Sequence, residues 1–120
     1  MLKRLLLLVV VLGAGCEDKI PASLKDAESI ARTGELVSVN DSNLTVLHRT
    51  QRSETEIFKQ YATALEAKGW TLAREAPKPH VDPPAHNGCF ERGRDQLSVG
   101  TYRHKPRVIS VMVATDCLGI

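Results

Sequence analysis

Three cysteines are the residues of this sequence best suited to covalent chemistry: Cys16, Cys89 and Cys117. A thiol can form a disulfide, receive a covalent group or act as a nucleophile. In an oxidising compartment two of three cysteines can pair, and the third is a reactive thiol that needs a separate use. Which two pair therefore depends on where the chain is delivered.

A second chemical candidate lies between residues 76 and 88, where His80, Asp82 and His86 are close in sequence. Imidazole and carboxylate groups are zinc ligands. Four of the six prolines fall in the same stretch, and their fixed backbone angles restrict how the chain could wrap around an ion. No second ligand cluster accompanies them, so the sequence predicts no metal site and leaves these three residues as weak candidates.

Catalytic and cofactor motifs are absent from the sequence. There is no Gly-x-Ser-x-Gly elbow for a serine nucleophile and no glycine-rich loop for phosphate. His48 and His104 have no evident nucleophile as a partner. The sequence therefore predicts a protein that is not an enzyme and that carries no cofactor.

The first fifteen residues have the three parts of a secretory signal. Lys3 and Arg4 precede an apolar run from Leu5 to Leu12, and small residues follow at 13–15. As a helix, the stretch from Leu5 to Gly15 would span only about 16 Å, at about 1.5 Å per residue. A bilayer core is about 30 Å thick, so this segment is too short to be a spanning anchor.

Removal of this segment also changes the charge balance. The whole chain has 16 lysines and arginines against 14 acidic residues. Lys3 and Arg4 would leave with the signal, and the mature chain would then carry equal numbers of basic and acidic side chains. A nucleic-acid-binding protein normally keeps a positive stripe, so we expect no nucleic-acid partner.

The residues at the end of the signal, Leu12-Gly13-Ala14-Gly15-Cys16, resemble the lipobox of bacterial lipoproteins. The resemblance implies that Cys16 receives a diacylglyceryl group and that cleavage before it removes residues 1–15. Fatty-acyl chains such as palmitate would then hold the protein at a bacterial cell membrane, facing the periplasm or the cell exterior. The alternative is an ordinary secretory signal cut after Gly15. Glu17-Asp18 does not decide between inner and outer membrane.

Lipidation of Cys16 would leave Cys89 and Cys117 as an even pair in an oxidising compartment. We therefore expect a disulfide between them, with two free buried cysteines as the alternative. In the chain-entropy model such a bridge stabilises the fold by about 3 kcal/mol.

The clearest local element is a helix over 54–68. Ser53 and Glu56 have capping-box spacing, apolar residues then recur along one face, and Gly69 fits a left-handed C-terminal cap. Before it, residues 16–26 are polar and predict a tether. Strand-forming residues favour a strand near 44–50, and a partner near 35–39 is plausible as a hairpin.

After the helix we expect a strand over 70–74 and a loop over 76–88, because proline is excluded from helices and from central strands. The last third alternates apolar and polar residues in two runs, 89–103 and 107–117. Paired as a hairpin whose turn centres near Arg103, the runs align their apolar faces and place Cys89 opposite Cys117. Adjacent strands lie about 5 Å apart, which suits a disulfide.

Together these elements predict an α+β domain over 27–120, with one amphipathic helix packed on a small antiparallel sheet in the order β(β)-α-β-β-β. Phe58, Tyr61 and Trp70 should dominate its core, because large aromatic side chains bury the most area. The domain resembles small bacterial lipoprotein domains of unassigned function.

We expect a membrane-anchored lipoprotein whose partners are membrane lipid, through acylated Cys16, and an envelope protein bound by a non-catalytic accessory domain. The alternative is a small-ligand or metal-binding lipoprotein that uses the loop over 76–88, for which a pocket beneath that loop would be diagnostic. A third reading is a purely structural envelope protein.

Overall fold

One long helix lies across one face of an antiparallel sheet in the computed structural model, which describes residues 20–118 and 120. The elements in chain order are a 3₁₀ helix (Ala22–Ala27), α1 (Glu28–Ala31), β1 (Glu35–Val39), β2 (Asn43–Arg49), α2 (Glu54–Glu66), β3 (Thr71–Lys78), β4 (Ala85–Arg92), β5 (Asp95–Lys105) and β6 (Val108–Ala114). The six strands are ordered β1-β2-β6-β5-β4-β3. The predicted α+β class is confirmed, but the described residues contain one strand more than the predicted order allowed.

The long helix α2 begins as the sequence predicts. The backbone N–H of Glu56 donates to the Ser53 hydroxyl, and the Glu56 carboxylate accepts the N–H of Ser53. This reciprocal capping box satisfies two amides that have no partner inside the helix. The helix ends at Glu66, two residues before the predicted end, and Gly69 follows with a φ of +92°.

The core fills the space between α2 and one face of the sheet. Phe58, Tyr61 and Trp70 are all buried there, as predicted. The ring of Phe58 lies directly on the backbone of Gly88 in β4, where a Cβ atom would overlap it. The sheet contributes a layer of aliphatic side chains to the same core, including Leu44, Val46, Leu97, Val99, Ile109, Val111 and Val113.

The proline-rich stretch is not a loop throughout, and this prediction was wrong. β3 extends to Lys78 and β4 begins at Ala85, so only residues 79–84 connect the strands. Pro77 lies within β3, paired with His86. β3 is at the edge of the sheet, and an edge strand tolerates proline because one side of its backbone has no neighbouring strand. The prediction has five strands because it assigns the first half of β4 to this loop and merges the second half with β5.

The predicted hairpin has the wrong register. Residues 89–103 do not form one strand, because a turn at Gly93, with a φ of +64°, divides them between β4 and β5. β5 then continues past Arg103, which pairs with Ile109, and the turn to β6 contains Pro106. Cys89 therefore lies on a different strand from the one that pairs with β6.

Cys89 and Cys117 are nevertheless joined by a disulfide, with Cα atoms 5.5 Å apart. β5 separates their strands, and the chain after β6 crosses the start of β5 to reach β4. The Cys117 sulfur lies 3.5 Å from the Leu97 carbonyl oxygen on the way. The bond joins the end of the described chain to β4, although β4 and β6 are not neighbouring strands as the predicted hairpin required.

The folded domain begins earlier than residue 27. From Ile20 onward the expected tether packs on the domain, with Ile20, Leu24 and Ala27 buried in the core. Ser23 donates a hydrogen bond to the Asp41 carbonyl in the β1–β2 turn, at 3.2 Å. The spacing of Ile20, Leu24 and Ala27 indicates a packed segment, although the overall composition of 20–27 is polar. The signal segment, Cys16 and the rest of the tether lie outside the described residues.

A buried polar pair links α2 to β2. Nε2 of His48 and the Tyr61 hydroxyl oxygen share a hydrogen bond of 2.7 Å, and both side chains are buried. Burial lowers the pKa of His48 and raises that of Tyr61, because removal from water disfavours the charged form of each group. Both groups are therefore neutral in the folded protein near neutral pH.

We predict that stability falls as the pH drops below about 6.5, the ordinary pKa of histidine. The unfolded chain binds a proton at His48 in that range and the folded protein does not, so acid favours unfolding by at most about 1.4 kcal/mol per pH unit. Urea unfolding of the parent and of His48→Gln at pH 7.5 and 5.5 measures this. The variant should lose most of the pH dependence; an unchanged difference between the two pH values would contradict the assignment.

Candidate functional site

A polar cluster joins the start of α2 to β3 and β4. Nδ1 of His86 lies 2.9 Å from the Thr55 hydroxyl, and its Nε2 lies 2.5 Å from a Glu75 carboxylate oxygen. The ring of Phe58 stacks on the imidazole with centroids 4.4 Å apart. The order hydroxyl, imidazole, carboxylate is that of a nucleophilic relay, and sequence reasoning missed it because the tertiary fold alone brings these residues together.

The neighbouring contacts indicate that this cluster holds the helix. The Thr101 hydroxyl donates to the Glu54 carbonyl at 2.8 Å, and Arg103 lies 3.3 Å from the Glu54 carboxylate. Arg103 also donates to the carbonyl of Arg52. Glu54, Thr55 and the Arg52 carbonyl at this end of α2 thus contact side chains of the sheet, which fixes the helix on it.

The weak metal candidates are not brought together. His86 is buried in the polar cluster, whereas His80 and Asp82 are exposed in the connection 79–84. Within residues 20–118 and 120, no group of three or more histidine, cysteine, aspartate or glutamate side chains is arranged to hold a metal ion. The metal-binding form of the alternative function therefore has no support in this part of the chain.

A groove of about 580 Å³ lies on the opposite, helix-free face of the sheet. We call it the open-face groove. One wall is the connection between β3 and β4, and the other is the chain that follows β6. Its floor comes from β4, β5 and β6, and its lining includes Val81, Asp82, Pro83, Asn87, Ser98, Gly100, Met112, Ala114, Leu118 and Ile120.

The floor of this groove contains an unsatisfied polar atom. Asn87 is only 9% exposed, and its Oδ1 is buried without a hydrogen-bond partner. A Cβ atom on Gly100, opposite it on β5, would lie 2.6 Å from this oxygen and 2.5 Å from the Tyr102 hydroxyl. The glycine therefore leaves room for the Tyr102 hydroxyl beside Asn87.

The groove has the chemistry of a binding site for an apolar group that carries a hydrogen-bond donor. Its volume falls in the range of about 300–1,000 Å³ that is usual for ligand sites. Aliphatic side chains on both walls suit an apolar body, and the Asn87 oxygen is an acceptor on the floor. Lys78, Asp82 and Asp116 lie among its lining residues, so it carries charges of both signs.

A second polar cluster surrounds Trp70 at the far end of α2. The Trp70 indole N–H donates to Asp26 at 2.9 Å, and Arg92 donates to the same carboxylate at 2.8 Å while lying over the indole ring. The hydrogen bond from Trp70 does most to hold the pKa of Asp26 below its ordinary value, and the hydrogen bond from Arg92 lowers it further. The cluster locks the N-terminal segment onto the domain.

Comparisons with known proteins find no match to this chain among protein-family models, curated proteins or solved structures. The described residues, 20–118 and 120, include no helix that has both the length and the apolar character to cross a bilayer.

We predict that Asn87→Leu raises the free energy of unfolding by about 1 kcal/mol, because it removes a buried acceptor that has no partner. Urea unfolding of the isolated domain measures the change. Asn43→Leu is the matched control on the same face, since Asn43 Oδ1 accepts a hydrogen bond from Asn40 at 3.1 Å and its replacement should give no gain. A loss of stability in Asn87→Leu would mean that the amide is needed for the fold itself.

Proposed function

We propose that this protein is a membrane-anchored lipoprotein of the bacterial cell envelope that presents a small, non-catalytic domain for interaction with another envelope protein. Acylated Cys16 would hold it in the membrane, and the open-face groove is the surface that we assign to the partner.

The Cys89–Cys117 disulfide is the observation that carries this proposal. Disulfides form and persist in oxidising compartments and are rare in the cytosol of mesophiles. A disulfide between these two cysteines supports export and leaves Cys16 as the unpaired thiol. Cys16 is also the residue at which the lipobox pattern places the lipid, so cysteine pairing and signal pattern lead to the same modification.

The polar groups of the domain support a non-catalytic role. The hydroxyl–imidazole–carboxylate cluster lies under the start of α2 and connects helix to sheet. The groove lies on the other face, where Asn87, Ser98 and Gly100 form much of its floor. No serine–histidine or cysteine–histidine pair lines it among the residues that the structure describes. Its lining is suited to binding.

We predict that the protein extracted from bacterial membranes begins at Cys16 and carries diacylglyceryl and acyl groups there. Intact-mass and peptide mass spectrometry would report this modification and the disulfide in one preparation. Cys16→Ser should abolish acylation and membrane retention, whereas the control Cys89→Ser/Cys117→Ser should keep the lipid and lose only the bridge. Recovery of a soluble, unacylated mature chain, or of one that retains residues 1–15, would contradict the proposal.

The open-face groove also favours a second candidate function, the binding of a small apolar ligand that carries a hydrogen-bond donor. The connection 79–84 forms one wall, so the groove lies where the ligand-binding alternative requires a pocket. The unsatisfied Asn87 oxygen is the specific observation in its favour, because a ligand donor that displaced the Tyr102 side chain would satisfy it.

A photo-crosslinking amino acid at Met112 would separate the two functions, because this half-exposed side chain lines the groove. For a protein partner we predict a discrete covalent adduct in intact cells, weakened by Asn87→Leu. The same amino acid at Thr63, exposed on α2, is the control and should give no such adduct. The small-ligand function would be favoured by two results together. Met112 would give no adduct, and N-acetyl-leucinamide would shift the NMR signals of backbone amides in the groove.

A further inference from the structure

We propose that the open-face groove receives a basic segment of the partner protein, in which a lysine or arginine is flanked by apolar residues. This inference rests on the proposed function, which assigns the groove to a partner. It adds the chemistry of the segment that would occupy the groove.

The exposed apolar side chains of the domain are concentrated at this groove. Four large apolar residues are exposed in the described part of the chain, and three of them, Val81, Met112 and Leu118, line the groove. Leu118 is the most exposed of the four, at 86%. The fourth, Val37, lies in β1 and is not among the lining residues. Exposed apolar side chains gathered at one site mark a surface that another molecule covers.

The walls of the groove carry two acids that have no cationic partner. Asp82 belongs to the connection 79–84 and Asp116 to the chain after β6, so the two carboxylates come from opposite walls. Both side chains are exposed, and neither takes part in a salt bridge within the described residues. Of the described lining residues, Lys78 alone is cationic. One positive charge therefore faces two negative charges, and the groove favours a cation.

The floor of the groove favours the same kind of occupant independently of charge. The Asn87 side chain is 9% exposed, and its Oδ1 has no hydrogen-bond partner. This oxygen lies 2.6 Å from the position that a Cβ atom on Gly100 would take, which places it on the helix-free face. An occupant that displaced the Tyr102 side chain and supplied an N–H donor would satisfy it, whereas an anion or a second acceptor would not.

A lysine or arginine side chain within a peptide meets all three conditions. Its aliphatic stem can pack on the apolar side chains of the walls while its charged end reaches a carboxylate. The backbone N–H groups of the same segment are donors for the Asn87 oxygen. An acidic segment would instead meet both carboxylates, and like charges facing each other across an interface oppose binding.

Three matched peptides test this inference on the full mature chain with its disulfide formed, made with Cys16→Ser so that no detergent is needed. The peptides are acetyl-Leu-Lys-Leu-amide and its counterparts with glutamine or glutamate in place of lysine. NMR titrations follow the backbone amides of Asn87, Ser98 and Gly100 on the groove floor. We expect the lysine peptide to bind about threefold more tightly than the glutamine peptide, because exposed charge pairs each contribute little. The glutamate peptide should bind most weakly.

Removal of the two carboxylates provides the matched variant. Asp82→Asn/Asp116→Asn should give the lysine and glutamine peptides equal affinity. Asparagine keeps a side-chain oxygen, so the hydrogen bond that Asp116 accepts from the Leu118 N–H at 3.3 Å can persist. Asp41→Asn is the control, because Asp41 is an exposed acid between β1 and β2 that does not line the groove. It should leave the preference for lysine unchanged.

Equal affinity of the parent for the lysine and glutamine peptides would indicate an apolar occupant and overturn the inference. It would also be overturned if no peptide shifted the groove amides, or if the preference for lysine survived the double substitution. None of these results bears on the acylation of Cys16. Absence of the acyl group from the membrane-extracted protein would instead overturn the proposed function.

Discussion

The rest of the structure depends on how closely α2 approaches β4, where the ring of Phe58 lies on the bare backbone of Gly88. A methyl group at that position would overlap ring atoms, so the helix reaches this depth only because β4 has no side chain there. The same depth brings Thr55 to His86 and allows Tyr61 to reach the buried imidazole of His48. Polar and apolar contacts on this face are therefore consequences of one close approach.

A single long helix covers only one face of a six-stranded sheet. The other face is covered in part by the connection 79–84 and by the chain after β6, and the open-face groove is the space left between them. A buried unsatisfied acceptor costs about 1–3 kcal/mol, which is a large fraction of the stability of a small domain. The Asn87 oxygen on this floor is therefore a cost that no contact within the described residues offsets.

The sequence predicts the elements whose signals are local. The capping box at Ser53 and the glycine at 69 fix the ends of α2 to within two residues, because both act within one helical turn. The aromatic core follows from the same helix, since Phe58 and Tyr61 lie on its apolar face. The α+β class could be predicted for this reason as well.

The errors arise where tertiary context decides. Pro77 excludes a central strand but not an edge strand, and the sequence does not show which strand is at the edge. The alternation over 89–103 has one period throughout, so it does not reveal that Gly93 divides it into two strands. The neighbours of His86 in sequence make it a weak metal-ligand candidate, whereas its partners in the fold, Thr55 and Glu75, come from other elements. The groove could not be predicted, because no sequence pattern marks a concavity formed by three strands and two separate walls.

The disulfide links the proposed location of this protein to its candidate site. It holds Cys117 against β4, so the chain that carries Leu118 and Ile120 passes over the helix-free face and becomes one wall of the groove. In a reducing compartment that wall would be held only by noncovalent contacts such as the Thr115 hydrogen bond to Ser42. Under the proposed function, oxidation after export would both brace the domain and complete the wall of the groove, in the compartment where an acylated Cys16 would hold the protein.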